Sequence, residues 1–138
     1  MIRVVFDTNV LYSAILKPTG VPARVFDLVT AGLCIPCVSD AVMAEYLDVL
    51  FRPELALHAE RAKQVIGILS GLALHVTPTE NLKISDDEDV NRIYECADAA
   101  MAHYIVTGNL RHFKKPHKNT QIVNARQLLE LLAPAEEK

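Results

Sequence analysis

Short apolar runs alternate with helix-length segments along most of this chain. The runs fall at residues 2–6, 33–38, 72–76, 104–107 and 121–123. The helical segments between them read as residues 9–16 and 21–31, a helix capped by Ser39 through about 51, residues 54–71 in two pieces, a helix from Ser85 to about 102, and residues 124–132. Gly32 closes the second helix and Pro53 stops the third. Parallel neighbours in a sheet need a crossover connection, usually a helix, whereas antiparallel neighbours need only a hairpin. The pattern therefore predicts an α/β fold with a mostly parallel sheet, covered by helices on both faces. In such folds ligands bind beyond the carboxyl ends of the strands. The polar residues found there are the first candidates for function.

The rest of the composition narrows the class. The chain has 138 residues, half of them apolar, enough for one domain with a core of its own. Residues 1–133 read as that domain, and residues 134–138 as a frayed tail. No apolar run is long enough to span a membrane, and the first run has no basic leader before it, so the expected compartment is the cytoplasm. The three cysteines, Cys34, Cys37 and Cys96, are too few and too scattered for a disulfide framework. Cys34 and Cys37 have metal-site spacing, but they sit in an apparent strand, where an offset of three sends side chains to opposite faces. They are expected to be buried thiols. The net charge of −3 is not that of a general nucleic-acid binder. It is compatible with a protein that gathers carboxylates around cations.

Four acidic or polar signals fall where strands end. Asp7 follows the first run directly and is followed by Thr8 and Asn9. A strand-terminal aspartate either serves a site or caps the next helix. Glu45 lies between Val42 and Val49 of the third helix, bordering its buried stripe. There a carboxylate is either solvated or needs a partner. The run Ser85-Asp86-Asp87-Glu88-Asp89 is most simply a helix start, with Ser85 and Glu88 as a capping box. Thr107, Gly108 and Asn109 end the fourth run in a turn. In the predicted topology all four signals meet at one sheet edge. Carboxylates converging there repel one another unless a cation binds between them. Oxygen donors without a His or Cys cluster suit Mg²⁺ or Mn²⁺ better than Zn²⁺.

These residues resemble a known pattern. Val4-Val5-Phe6-Asp7-Thr8-Asn9-Val10-Leu11, Val38-Ser39 with Glu45, Asp87, Asp89 and Asn91 leading to Glu95-Cys96-Ala97, and Tyr104-Ile105-Val106-Thr107-Gly108-Asn109 are similar, in order and spacing, to the PIN-domain family. Within it, the chain resembles the VapC-like toxins of toxin–antitoxin pairs. The resemblance implies a three-layer α/β/α sandwich with about five strands. It also implies Mg²⁺- or Mn²⁺-dependent cleavage of RNA, a cognate antitoxin protein and a homodimer. Asp7 and Glu45 match the first two family acids. The third family aspartate falls on Val90, so the neighbouring Asp89 is expected to act in its place, and Asn109 stands where the fourth acid is often Asp. Asp7, Glu45 and Asp89 are the expected metal ligands, with Asn109 completing the catalytic set. Thr8, Asn9 and Thr107 are expected to position phosphate or metal-associated water.

The segment Arg111-His112-Phe113-Lys114-Lys115-Pro116-His117-Lys118 follows that last turn. It reads either as a solvated loop or as a patch where Arg111, Lys114 and Lys115 hold RNA phosphates and Phe113 stacks a base. Val90 also leaves room for a weakened enzyme that binds RNA or an antitoxin without efficient cleavage. It further fits an apolar row of Val90, Ile93, Ala97 and Met101. A phosphatase of the haloacid-dehalogenase type would need an aspartate where Asn9 stands. A receiver domain would need one where Thr77-Pro78 follows the third run.

Overall fold

The computed structural model describes residues 1–133. The tail at 134–138 lies outside the described residues. Strands β1 (Arg3–Phe6), β2 (Ile35–Val38), β3 (Leu74–His75), β4 (Tyr104–Val106) and β5 (Gln121–Val123) form one sheet in the order β3-β2-β1-β4-β5. All four ladders are parallel. Helices α1 (Thr8–Leu16), α2 (Val21–Thr30), α3 (Asp40–Leu50), α4 (Ala59–Leu72), α5 (Glu88–Ala100) and α6 (Ala125–Leu132) connect and cover the strands, with a short 3₁₀ helix at Pro53–His58.

Burial shows why the central strand reads as an unbroken apolar run. Val4 and Val5 point to opposite faces of the sheet, and both are fully buried. Helix α5 packs over β1, β2 and β4, while α2 packs on α1 and α6. The sheet is thus the middle layer of an α/β fold. Strand order reverses direction around β1: the chain first builds outward through β2 and β3, then returns to lay β4 on β1's other side. The switch point lies between the ends of β1 and β4, at Asp7 and Thr107.

Local chemistry sets most helix ends. Ser39 Oγ accepts from the Val42 N–H, as its position before α3 predicts. At the end of α2, Gly32 takes φ +79°. Its N–H bonds to Val29 O, and Leu33 N–H reaches back to Leu28 O. That double closure requires a left-handed residue, which glycine supplies at least cost. Asn124 and Gln127 form a reciprocal capping box before α6.

Two expectations fail at α5. The helix starts at Glu88, not Ser85, with Asp87 as cap accepting from Asp89 N–H. The Ser85–Glu88 box does not form. Ser85 Oγ accepts from Asp87 N–H instead, and Glu88 Oε1 accepts from the Asn91 amide. At the other end, Met101 is the left-handed cap (φ 49°) and is exposed, so Ala100 takes the place in the buried row given to Met101. The third strand is also shorter than predicted, because Leu72 stays in α4 and only two residues pair with β2.

The thiols of Cys34, Cys37 and Cys96 are free and buried. Desolvation pushes each up, Cys34 and Cys37 to about 11 and Cys96 to about 12. They are held as neutral apolar packing groups, far from the thiolate form that metal binding or redox exchange needs.

Candidate functional site

The carboxyl edge of the sheet opens into a pocket of about 320 Å³, lined by residues from four separate stretches. Asp7, Thr8 and Asn9 come from the β1–α1 junction. Glu45, Val49 and Arg52 come from α3 and the residues just past it, and Asp87, Asp89, Val90 and Ile93 from the start of α5. Asn109, His112 and Phe113 follow β4. Asp7 and Glu45 therefore share one cavity across 38 positions of chain.

Asp7 is held from several sides. Its N–H donates to Val106 O at 2.9 Å, tying the end of β1 to the end of β4. Thr107 Oγ1 donates to Asp7 Oδ2 at 2.8 Å, and Asn109 N–H donates to Thr107 Oγ1 at 2.9 Å. Thr107 is fully buried and its hydroxyl proton is already given to Asp7. Its place is behind the carboxylate, not in contact with a phosphate. Burial raises the Asp7 carboxyl above its ordinary range, outweighing hydrogen bonds from Thr107, Asn9 and Thr8 and the field of His112. Tyr46, fully buried one residue after Glu45, donates its hydroxyl to Phe6 O and so pins α3 to the end of β1.

Glu45 is half-buried, as its place beside the stripe of α3 predicts. Its carboxyl is also raised, first by desolvation, then by the charges of Asp89 and Asp48; Arg52 opposes the shift, and Asp7 adds to it. These like charges are thus close enough to oppose the ionisation of Glu45. Asp89 stands on the exposed rim at the start of α5, and Val90 beside it is buried while still lining the pocket. Consecutive helical residues point about 100° apart, so the carboxylate and the isopropyl group take different walls.

The segment before α5, residues 76–87, has no regular structure, yet it is firmly tied. The buried Asn91 accepts from Ile84 and Ser85 N–H and donates to Ser85 O and Glu88. Glu95, also buried, accepts from Leu82 N–H and pairs with Arg92. These two side chains set where Asp87 and Asp89 stand.

The donor set fits a hard divalent cation in kind: carboxylate and amide oxygens, and like charges that a cation would relieve. It does not yet enclose one. Among the described residues, no three His, Cys, Asp or Glu side chains are gathered tightly enough to hold a metal ion. The expected triad of Asp7, Glu45 and Asp89 is a shared pocket, not a closed cluster.

The basic segment divides. Arg111, Lys114 and Lys115 line a neighbouring depression of about 250 Å³ with Ile84, Ser85, Asp86 and Tyr94. His112 belongs to both hollows, and its Nδ1 lies 3.1 Å from Asn109 Nδ2. Phe113 is 3% exposed and packs on Tyr94 at 5.6 Å, so it cannot stack a base. His117 and Lys118 turn away to bind Asp98. The sequence reading missed Arg52 because it lies beyond α3, with no motif to mark it. His112 was seen only as part of a basic run.

A family model described as PIN domain matches residues 3–111. The chain is 29% identical over 111 residues to an uncharacterized protein of Methanocaldococcus jannaschii, a match covering 78% of this chain and 71% of that protein. No solved structure gives a significant match. No helix among the described residues is long and apolar enough to cross a membrane.

Proposed function

The chain belongs to the PIN-domain family, whose members are generally nucleases, and on that premise we propose that it is a divalent-metal-dependent endoribonuclease and the toxin of a toxin–antitoxin pair. One observation supports the reading above the others. Asp7 and Glu45 line one pocket at the switch point of the sheet, and both carboxyls are raised, in each case first by burial. Paired carboxylates in that condition are poised for a cation.

In this reading Asp7 and Glu45 hold Mg²⁺ or Mn²⁺, with Asp89 joining from the rim and Asn109 completing the catalytic set. The ion, when bound, supplies charge neutralisation at the phosphodiester and acidifies water. Thr107 fixes the rotamer of Asp7 through the bond to Oδ2. Thr8 and Asn9, at the first turn of α1, position the phosphate. Arg111, Lys114 and Lys115 hold a neighbouring phosphate of the strand in the adjoining depression. The cognate antitoxin and a second copy of the chain are the protein partners this role adds.

The test is cleavage of RNA in Mg²⁺, Mn²⁺ or EDTA by the wild type and by Asp7→Ala. Cleavage is expected to require the divalent ion and to fall by orders of magnitude in the variant. Equal activity of both proteins in EDTA would sink the mechanism.

A second reading is favoured by Val90, which is buried where the family resemblance expects an aspartate. Here the fold binds RNA or an antitoxin and cleaves poorly. Val90→Asp separates the two: a large gain over a near-silent wild type supports this reading, and little change on an active wild type supports the enzyme.

A further inference from the structure

The nuclease reading gives no role to the arginine of the acidic pocket. Arg52 stands just past the end of α3 and lines the pocket alongside Glu45 and Val49. Its guanidinium donates from Nη2 to Asp48 Oδ2 at 2.9 Å, and the side chain is 48% exposed. Asp48 does not line the pocket. Arg52 is therefore tethered at one corner of its fork, and its other N–H groups have no protein acceptor among the described residues. An exposed ion pair four residues apart adds little to stability, so it is a weak reason for an arginine at the mouth of this cavity.

The surrounding charge gives a better one. Four carboxylates line the pocket, those of Asp7, Glu45, Asp87 and Asp89, and Arg52 is the permanent cation among its lining residues. The three basic residues of the neighbouring depression do not reach the pocket, and Arg52 does not reach the depression. The two basic features therefore stand on separate walls, one from the residues just past α3 and one from the segment after β4. A polyanion whose reacting phosphodiester lies among four carboxylates needs its flanking phosphates held, or the acids repel it. The depression can hold one flank. A planar fork with free donors suits a phosphate on the other.

We propose that Arg52 is a second phosphate subsite, holding a backbone phosphodiester of single-stranded RNA on the α3 side of the pocket while Arg111, Lys114 and Lys115 hold another beyond His112. The substrate is then a strand that passes through the site with phosphates on both sides of the scissile bond. This subsite rests on the nuclease reading for its place on the substrate, but its test is separate.

The test is binding of a fluorescein-labelled 12-nucleotide oligouridylate, followed by anisotropy across a salt series. The chain carries Asp7→Ala to prevent cleavage. Adding Arg52→Ala is expected to weaken binding about tenfold and to flatten the plot of log affinity against log salt by about 0.7. Arg52→Lys should keep the slope, because it keeps the charge. Asp48→Asn, which removes the tether but not the cation, should leave affinity unchanged or improved. In the otherwise native chain, Arg52→Ala should raise KM on RNA with kcat nearly unchanged. An Arg52→Ala protein with native affinity and slope overturns the subsite, as does Asp48→Asn matching its loss, or an absence of RNA affinity in every protein. RNA bound through Arg52 but never cut sinks the nuclease reading and leaves the subsite standing.

Discussion

Asp7 and Asp98 lie at opposite ends of the same parallel sheet, and their surroundings differ in kind. Asp98 stands at the amino edge, by a cavity of about 430 Å³ lined by Arg3, Met101, His103, His117 and Lys118. It is met by Lys118 Nζ at 2.8 Å and His117 Nε2 at 2.9 Å. Lys118 first, then His117, hold its carboxyl below the ordinary value. Arg3 in turn donates to the carbonyls of Ala100 and Met101 at the end of α5, and its own N–H goes to His103 Nδ1. Asp98 and Arg3 thus each have close hydrogen-bonding partners there. At the carboxyl edge the cavity is smaller, the acids outnumber the cations, and Asp7 and Glu45 are both raised. Cavity size alone therefore favours the amino edge, the end opposite the proposed site. What separates the two edges is whether neighbouring cations lower the acid's pKa, as at Asp98, or burial raises it, as at Asp7 and Glu45.

The largest effect that can break this contrast is on cleavage. Asp7→Asn and Glu45→Gln are each expected to lower kcat on RNA at least a hundredfold, while Asp98→Asn stays within about twofold of native. Steady-state rates on one RNA decide it, and a loss in Asp98→Asn equal to the others would erase the distinction between the ends.

Stability should respond the other way. Asp98→Ala strips two partners of their acceptor, and with Lys118 largely exposed the cost is about 1 kcal/mol, or roughly 3 °C in Tm at pH 7. Calorimetry showing no change would mean the amino edge is not held by this pair. Adding millimolar Mg²⁺ is expected to raise the wild-type Tm by about 2 °C and leave Asp7→Asn unmoved, since a ligand of the folded state alone stabilises by mass action. An equal rise in both proteins would place the ion elsewhere.

The smallest effect concerns acidity. A carboxyl raised on folding weakens the fold as pH climbs from its ordinary value, 3.8, through the raised one. Asp7→Asn should therefore raise Tm at pH 7 by about 1 °C, with the gain vanishing below pH 3.8. Asp98 behaves oppositely: its contribution is present above 3.8 and is lost as pH falls through its lowered value. Matching pH profiles for Asp7→Asn and Asp98→Asn would contradict the comparison.

Much of this molecule was legible in its residue order. Apolar runs broken by helix-length segments determined a parallel α/β sheet, because the period of burial and the length of each connection are local properties. Ser39 and Gly32 marked helix ends for the same reason: each acts on backbone within a turn of itself. Asp7 and Glu45 were legible as carboxylates at a strand end and a stripe edge. Their sharing of one cavity, the charge each feels from its neighbours, and the entry of Arg52 and His112 into it belong to the tertiary structure alone. So does the splitting of the basic run, in which Phe113 packs inward and His117 and Lys118 cross to Asp98. Spacing along a chain sets which face a residue takes on its own element. Which elements come to face each other depends on crossovers and packing between distant segments, and electrostatic coupling follows distance in space and not in sequence.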